Sequence, residues 1–154
     1  MSSFNSKSHK RPSFQFYTGD WSKDPELRRC TKAEKGMLID LMCLAHECEF
    51  SGALYSNGEA IPTHEISHII GGDISENLPL IDGLLKKGPL KMWDEESIDC
   101  LKTTLEHLIP PFPTGMLYSA RMVRDELKRR ACSASGKTGG GSPKLSMTFK
   151  GLPK

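Results

Sequence analysis

Two short helical patterns with almost nothing between them set the tightest constraint on this chain. "PTHEISHIIGG" opens with Pro62, closes on Gly71-Gly72, and repeats Ile66, Ile69 and Ile70 at one-face spacing. "SENLPLIDGLLKKG" opens with Ser75 as N-cap, repeats Leu78, Ile81, Leu84 and Leu85, and stops at Gly88. Only "GGDI" separates them. Two helices joined by so short a glycine-containing turn read as a helix-turn-helix.

The flanks extend that motif. Thr31 and Glu34 have capping-box spacing, and the apolar positions 37, 38, 41, 42, 44, 45 and 48 follow with a helical period. Asp24-Pro25 reads as an N-cap with Pro at the first helical position. A short strand at 53–55 runs into an Asn57-Gly58 turn. Strands are expected in "PLKMW" and "GMLYSA", and a last helix in "RMVRDELKRRAC" that buries Met122, Val123 and Leu127.

One strand before a helix-turn-helix and a hairpin after it describe a winged helix, with the first strand adding to the hairpin as a third. The expected class is therefore mainly α with a small β-sheet (α+β): a winged helix-turn-helix whose enlarged wing is 94–115. Within that wing Ile98, Leu101, Leu105 and Leu108 have helical spacing before Pro110-Pro111. Residues 1–13 read as a disordered basic tail, 14–132 as the domain, and 133–154 as a Gly/Ser/Lys-rich linker or tail.

Composition narrows the setting. The net charge of +2 hides a split, because residues 44–116 sum to −8 and the remainder to +10. Basic charge gathers at 7–11, 28–35 and 121–154, an asymmetry that suits a polyanion. The five cysteines, 30, 43, 48, 100 and 132, form no CxxC pair, which favours reduced thiols in a cytoplasm. No run approaches the roughly 18 apolar residues of a membrane helix, so no membrane partner is expected.

Few motifs carry chemistry. His64-Glu65-Ile66-Ser67-His68 matches HExxH. Pro62 places it in the first turn of a short helix, no third ligand follows, and the same residues serve the helix-turn-helix, so no metal is expected. Ala131 to Thr138 brushes the P-loop pattern but lacks its first glycine, its strand and its helix. Cys43, His46 and Cys48 lie together on one helix and read as core residues, not as ligands or a nucleophile. No enzymatic activity and no cofactor are expected.

The informative constellation is basic. Arg121, Arg124 and Lys128 share one helical face, and Arg129 and Arg130 extend it. Such side chains on a regular element suit phosphate oxygens. The second helix of the helix-turn-helix offers Glu76, Asn77 and Asp82 at its leading end and Lys86-Lys87 at its trailing end. Base readers normally stand near the leading end, so either Asn77 is the sole base reader or the winged helix uses its fold for protein contact.

The segment "FQFYTGDWSKDPELRRCT", with "GMLIDLMCLAHE" and "LYSARMVRDELKRR", resembles the DUF1376 family of phage and prophage proteins. Thr18 stands where that family usually has Pro, and the 94–115 excursion is longer than a simple wing. The resemblance implies a winged-helix-like domain at the front of a replication initiator or helicase-loader-like protein, working in the cytoplasm of a bacterial host. DNA and a replicative helicase or other host replication protein are the partners it implies.

Two functions follow as expectations. The first is a DNA-binding domain acting in replication initiation or its control, with phosphate contacts from 121–130 and help from Lys86 and Lys87. The alternative is an adaptor or inhibitor that docks a host factor through its acidic 44–116 region. The rings of "FQFYTGDW" are expected to bury against the core as a clamp, with Gly19-Asp20 turning the chain.

Overall fold

The computed structural model describes residues 11–139, and the side chains of 11–134. Residues 1–10 of the tail expected at 1–13 and residues 140–154 of the linker expected at 133–154 lie outside the described residues. Seven helices and four short strands follow in order: α1 (Thr18–Lys23), α2 (Pro25–Arg28), α3 (Lys32–Glu47), β1 (Ala53–Ser56), β2 (Glu59–Ala60), α4 (Thr63–Ile70), α5 (Ile74–Lys87), β3 (Lys91–Met92), α6 (Ser97–Leu101), β4 (Leu117–Tyr118) and α7 (Ala120–Gly139). The chain is mainly helical with a small antiparallel sheet.

Local chemistry explains most element ends. Thr31 caps α3 by accepting from the Glu34 amide, while Glu34 Oε1 accepts from the Thr31 amide at 2.9 Å. Asp24 caps α2 ahead of Pro25. Asn57 and Gly58 both hold positive φ, as a two-residue hairpin turn requires, and β1 pairs back on β2. The residues after that turn thus form a second strand, where the sequence suggested only a turn. Asp73, not Ser75, caps α5: its carboxylate accepts from the Ser75 amide, so the helix begins at Ile74.

The sheet order is β2-β1-β4-β3. The expected third-strand pairing is present, with Ala53 opposite Tyr118 and Lys91 also opposite Tyr118. Successive residues of a strand point to opposite faces, and here each face serves its own core. Leu54, Ile61 and Leu117 join Leu38, Leu41, Ile66, Ile81 and Leu84 on one side. Ala53, Tyr55 and Tyr118 join Phe50, Trp93, Leu101, Phe112, Val123 and Leu127 on the other.

Phe112 centres the second cluster, with Phe50, Tyr55 and Trp93 edge-on to it at 4.9–5.4 Å between ring centroids. The 94–115 excursion is therefore folded onto the body. Its helical stretch is only α6, because Lys102 turns left-handed after it, and a single 3-10 turn at Glu106–Leu108 follows. Ile98, expected on its apolar face, is exposed. The ends of the excursion are pinned by two hydrogen bonds, Trp93 amide to Met116 carbonyl at 2.7 Å and Gly115 amide to Trp93 carbonyl at 2.9 Å.

Two glycines permit close packing. Gly52 has φ +102°, and a Cβ there would lie 2.7 Å from the Met122 Cβ, so the chain entering β1 runs hard against α7. A Cβ at Gly83 would collide with Glu34 Oε2. The Glu34 side chain therefore packs over Gly83, between α3 and α5. The last helix buries Met122, Val123 and Leu127 as the spacing predicts, but it runs to Gly139, beyond the expected end at 132.

Candidate nucleic-acid interface

α7 carries Arg121, Arg124, Lys128, Arg129 and Arg130 on a continuous helix, but most of these cations have partners inside the molecule. Glu126 is buried and accepts from Arg129 Nε and Nη2 at 3.0 and 2.7 Å and from Arg130 Nε at 2.7 Å. Burial alone would raise its pKa; the two guanidinium groups outweigh that and hold it below the usual carboxylate value. Arg130 also lies 4.4 Å over the Phe50 ring and donates to the Glu49 carbonyl. Arg124 donates to the Leu101 carbonyl at 3.3 Å. Lys128 is exposed and has no partner among the described residues. Of the row expected at 121–130, Arg121, Arg129 and Arg130 pair with carboxylates, while Arg124 and Lys128 have no carboxylate partner among the described residues.

Arg121 is held by the N-terminal segment. It pairs with Asp20 and its guanidinium lies 4.5 Å over the Tyr17 ring, while the Tyr17 hydroxyl donates to Asp125 at 3.0 Å. That hydrogen bond, with lesser help from burial, raises the Tyr17 pKa. Thr18–Lys23 is a helix, so Gly19-Asp20 does not turn the chain. The rings also differ from the expected buried clamp. Phe16 is exposed, Phe14, Tyr17 and Trp21 are half-buried, and only Trp21 packs on the first core cluster.

Phe16 and Trp21 lean on each other at 5.2 Å, and Phe14 meets His46 at 5.3 Å. His46 is buried, with Nε2 2.7 Å from the Arg11 carbonyl and Nδ1 2.8 Å from the Ser51 hydroxyl. A carbonyl can only accept, so Nε2 carries the proton and donates. The N-terminal segment is a strap laid across the surface and anchored at His46 and α7.

The helix-turn-helix offers less to DNA than its sequence suggested. Asn77 is buried rather than exposed, because its amide donates to Ser67 Oγ at 2.7 Å and to the Gly71 carbonyl at 2.9 Å, stapling α5 to the turn. That leaves no base reader at the leading end. Leu78, expected inside, is exposed together with Ile74. Lys86 makes an exposed pair with Asp82 at 3.1 Å, a contact of small energy. His64 and His68 are both exposed, and no cluster of three or more metal-ligating side chains occurs among the described residues.

A different basic region is assembled by the fold. Arg29 donates to the Lys87 carbonyl at 3.3 Å, and Lys87 pairs with Glu34 at 2.7 Å, which joins the turn before α3 to the end of α5. The Lys87 hydrogen bond is the main cause of a Glu34 pKa held below the usual value, with the Thr31 amide next. Arg28, Arg29, Lys32, Lys35, Lys86 and Lys87 lie on the segments joined here, against Glu26, Glu34 and Asp82. Arg28, Lys32 and Lys35 make no ion pair with any described carboxylate. The sequence signal for this corner was the charge run at 28–35; what it lacked was the long-range join to 86–87.

No family model, curated protein or solved structure matches the chain.

Proposed function

We propose that this chain is a winged-helix domain that grips nucleic acid by its phosphates, through the corner formed by 28–35 and 86–87. The observation that carries this is the placement of Lys32 and Lys35 in the first turn of α3. The N-terminus of a helix is its positive end and disfavours cations. Arg28 and Arg29 stand just ahead of the same end, so the corner keeps a positive excess over the Glu26, Glu34 and Asp82 carboxylates beside it. With the helix start already capped by Thr31 and Glu34, the cations are what a phosphate would meet.

The winged-helix part rests on the order α3, β1, α4, α5, β3, β4 and on the pairing of β1 with the β3–β4 hairpin. With Asn77 inside the turn, recognition is by backbone charge and not by base edges. The resemblance to phage replication proteins extends the proposal to initiation or control of DNA replication.

The test is duplex DNA binding by fluorescence anisotropy across a salt series. Changing Arg28, Lys32 and Lys35 together to Glu should weaken binding about 100-fold near 0.1 M salt. It should also flatten the log K against log[salt] slope by roughly 3, since each phosphate contact contributes about 0.9. Salt-independent wild-type binding, or an unaltered triple variant, overturns the reading.

A second reading is favoured by one observation. The leading end of α5 exposes Ile74 and Leu78 beside Glu76 and Asp82, a face suited to an apolar, basic protein surface. A host replication protein such as a replicative helicase has the role in that reading that DNA has in the first. Capture of a nuclease-resistant stoichiometric partner that is lost on Leu78→Glu would establish it.

A further inference from the structure

Beneath the strap lies a cleft of about 300 Å³, lined on one side by Phe16 and Trp21 and elsewhere by Met42, Lys91, Arg121 and Arg124. That is the lower end of the roughly 300–1,000 Å³ of small-molecule sites, room for one nucleotide and not for a strand. We propose that this cleft takes a single unpaired nucleotide, its base against the Trp21 and Phe16 rings and its phosphate on Arg124 and Lys91. The proposal rests on the nucleic-acid reading and adds to it a preference for strands with unstacked bases.

Two features of the lining support it. Trp21 is half-buried and Phe16 exposed, so both keep ring surface available, and base–aromatic stacking tolerates any base. Lys91 Nζ and Arg124 Nη1 donate only to carbonyls, of Gly88 at 3.2 Å and Leu101 at 3.3 Å. Both line the cleft, and neither is ion-paired with a described carboxylate.

Of the three carboxylates that also line the cleft, two are already engaged: Asp20 holds Arg121, and Asp24 accepts from the Glu26 amide at 2.8 Å. The third, Glu26, lies over Gly88 at the edge shared with the corner. The phosphate corner and the cleft share a boundary, since Glu26, Leu27 and Gly88 border the one and adjoin Arg28 and Lys87 of the other. A strand held on the corner therefore has a base within reach of the cleft.

The test uses the full chain with three probes: a short oligo-thymidylate, a duplex of the same length, and thymidine monophosphate. Trp93 is buried in the second core cluster, so quenching of tryptophan fluorescence by the oligonucleotide reports on Trp21. Trp21→Ala should lower oligo-thymidylate affinity about tenfold and leave duplex affinity within about twofold. Trp21→Phe should retain most of the single-strand affinity, and Arg124→Gln should lose several-fold.

Quenching by thymidine monophosphate alone would identify free nucleotides as occupants, and quenching only by the oligomer would identify strands; either supports the site. Absence of quenching, or single-strand binding by Trp21→Ala equal to wild type, overturns it while leaving the duplex reading intact. If Trp21→Ala melts at room temperature, Trp21→Phe and the wild-type quench decide. Loss of all salt-dependent binding in wild type would instead remove the underlying reading.

Discussion

Along α7 the guanidinium groups turn inward, to Glu126, to the Leu101 and Glu49 carbonyls, and to Asp20 on the strap. At the corner of α2, α3 and α5, Arg28, Lys32 and Lys35 stand without carboxylate partners at the positive end of a helix. Both regions are basic by composition. In the first the charges hold elements together, and in the second they remain as a field. The difference shows that a row of arginines on a helix says little about partners until the carboxylates at i−3 and i−4 are counted.

The contrast can be broken in order of expected effect. Glu126→Ala leaves Arg129 and Arg130 beside an emptied buried position. Breaking such a pair costs about 3–5 kcal/mol when fully buried, and the arginine side chains here are 29% and 40% exposed. A loss of about 2–3 kcal/mol, or a Tm fall of roughly 10 °C, is expected in thermal unfolding. Duplex affinity should not fall, since two cations are released. A variant that keeps its Tm but loses DNA would place the binding surface on α7 after all.

Glu34→Gln sharpens the other side. Gln can still complete the capping box, so the variant isolates the ion pair with Lys87, at a cost of about 1 kcal/mol near neutral pH. The folded pKa of Glu34 lies below the ordinary 4.5. The stability it contributes is therefore complete above that value and is lost as pH falls through the lower folded pKa. The gap between wild type and variant in denaturant unfolding should close on acidification below about pH 4.5. A gap that is constant down to the acid transition would mean the pair contributes nothing through charge.

The smallest effect has the opposite sign. Lys32→Gln removes a cation from the positive end of α3 and should raise stability by about 0.3 kcal/mol, while weakening duplex affinity two- to threefold. If stability and affinity fell together, Lys32 would be structural and the corner would resemble α7.

Much of the framework was legible because it is local. The Thr31–Glu34 capping box, the Asp24-Pro25 start and the Asn57-Gly58 turn each depend on residues within four positions. So does the Glu126 arrangement with Arg129 and Arg130, at i+3 and i+4, a signal overlooked in favour of the cations alone. What escaped was fixed by distant partners. α1 contains Thr18 and Gly19, poor helix formers, and the contacts of Tyr17 and Asp20 with α7 hold it in place. Asn77 occupies a position that periodicity alone leaves outside, and only the geometry of Gly71 and Ser67 draws it in. The cleft could not be read at all, since its walls come from segments separated by about the whole domain.

That separation has a consequence for how the molecule is made. The strap is synthesised first, yet Tyr17 and Asp125 are 108 positions apart in sequence. As the chain leaves the ribosome the strap can meet α3 through Phe14, His46 and Trp21, but its Tyr17 and Asp20 contacts must wait for α7. A chain stalled before α7 would therefore hold Tyr17 and Asp20 without the partners that fix α1.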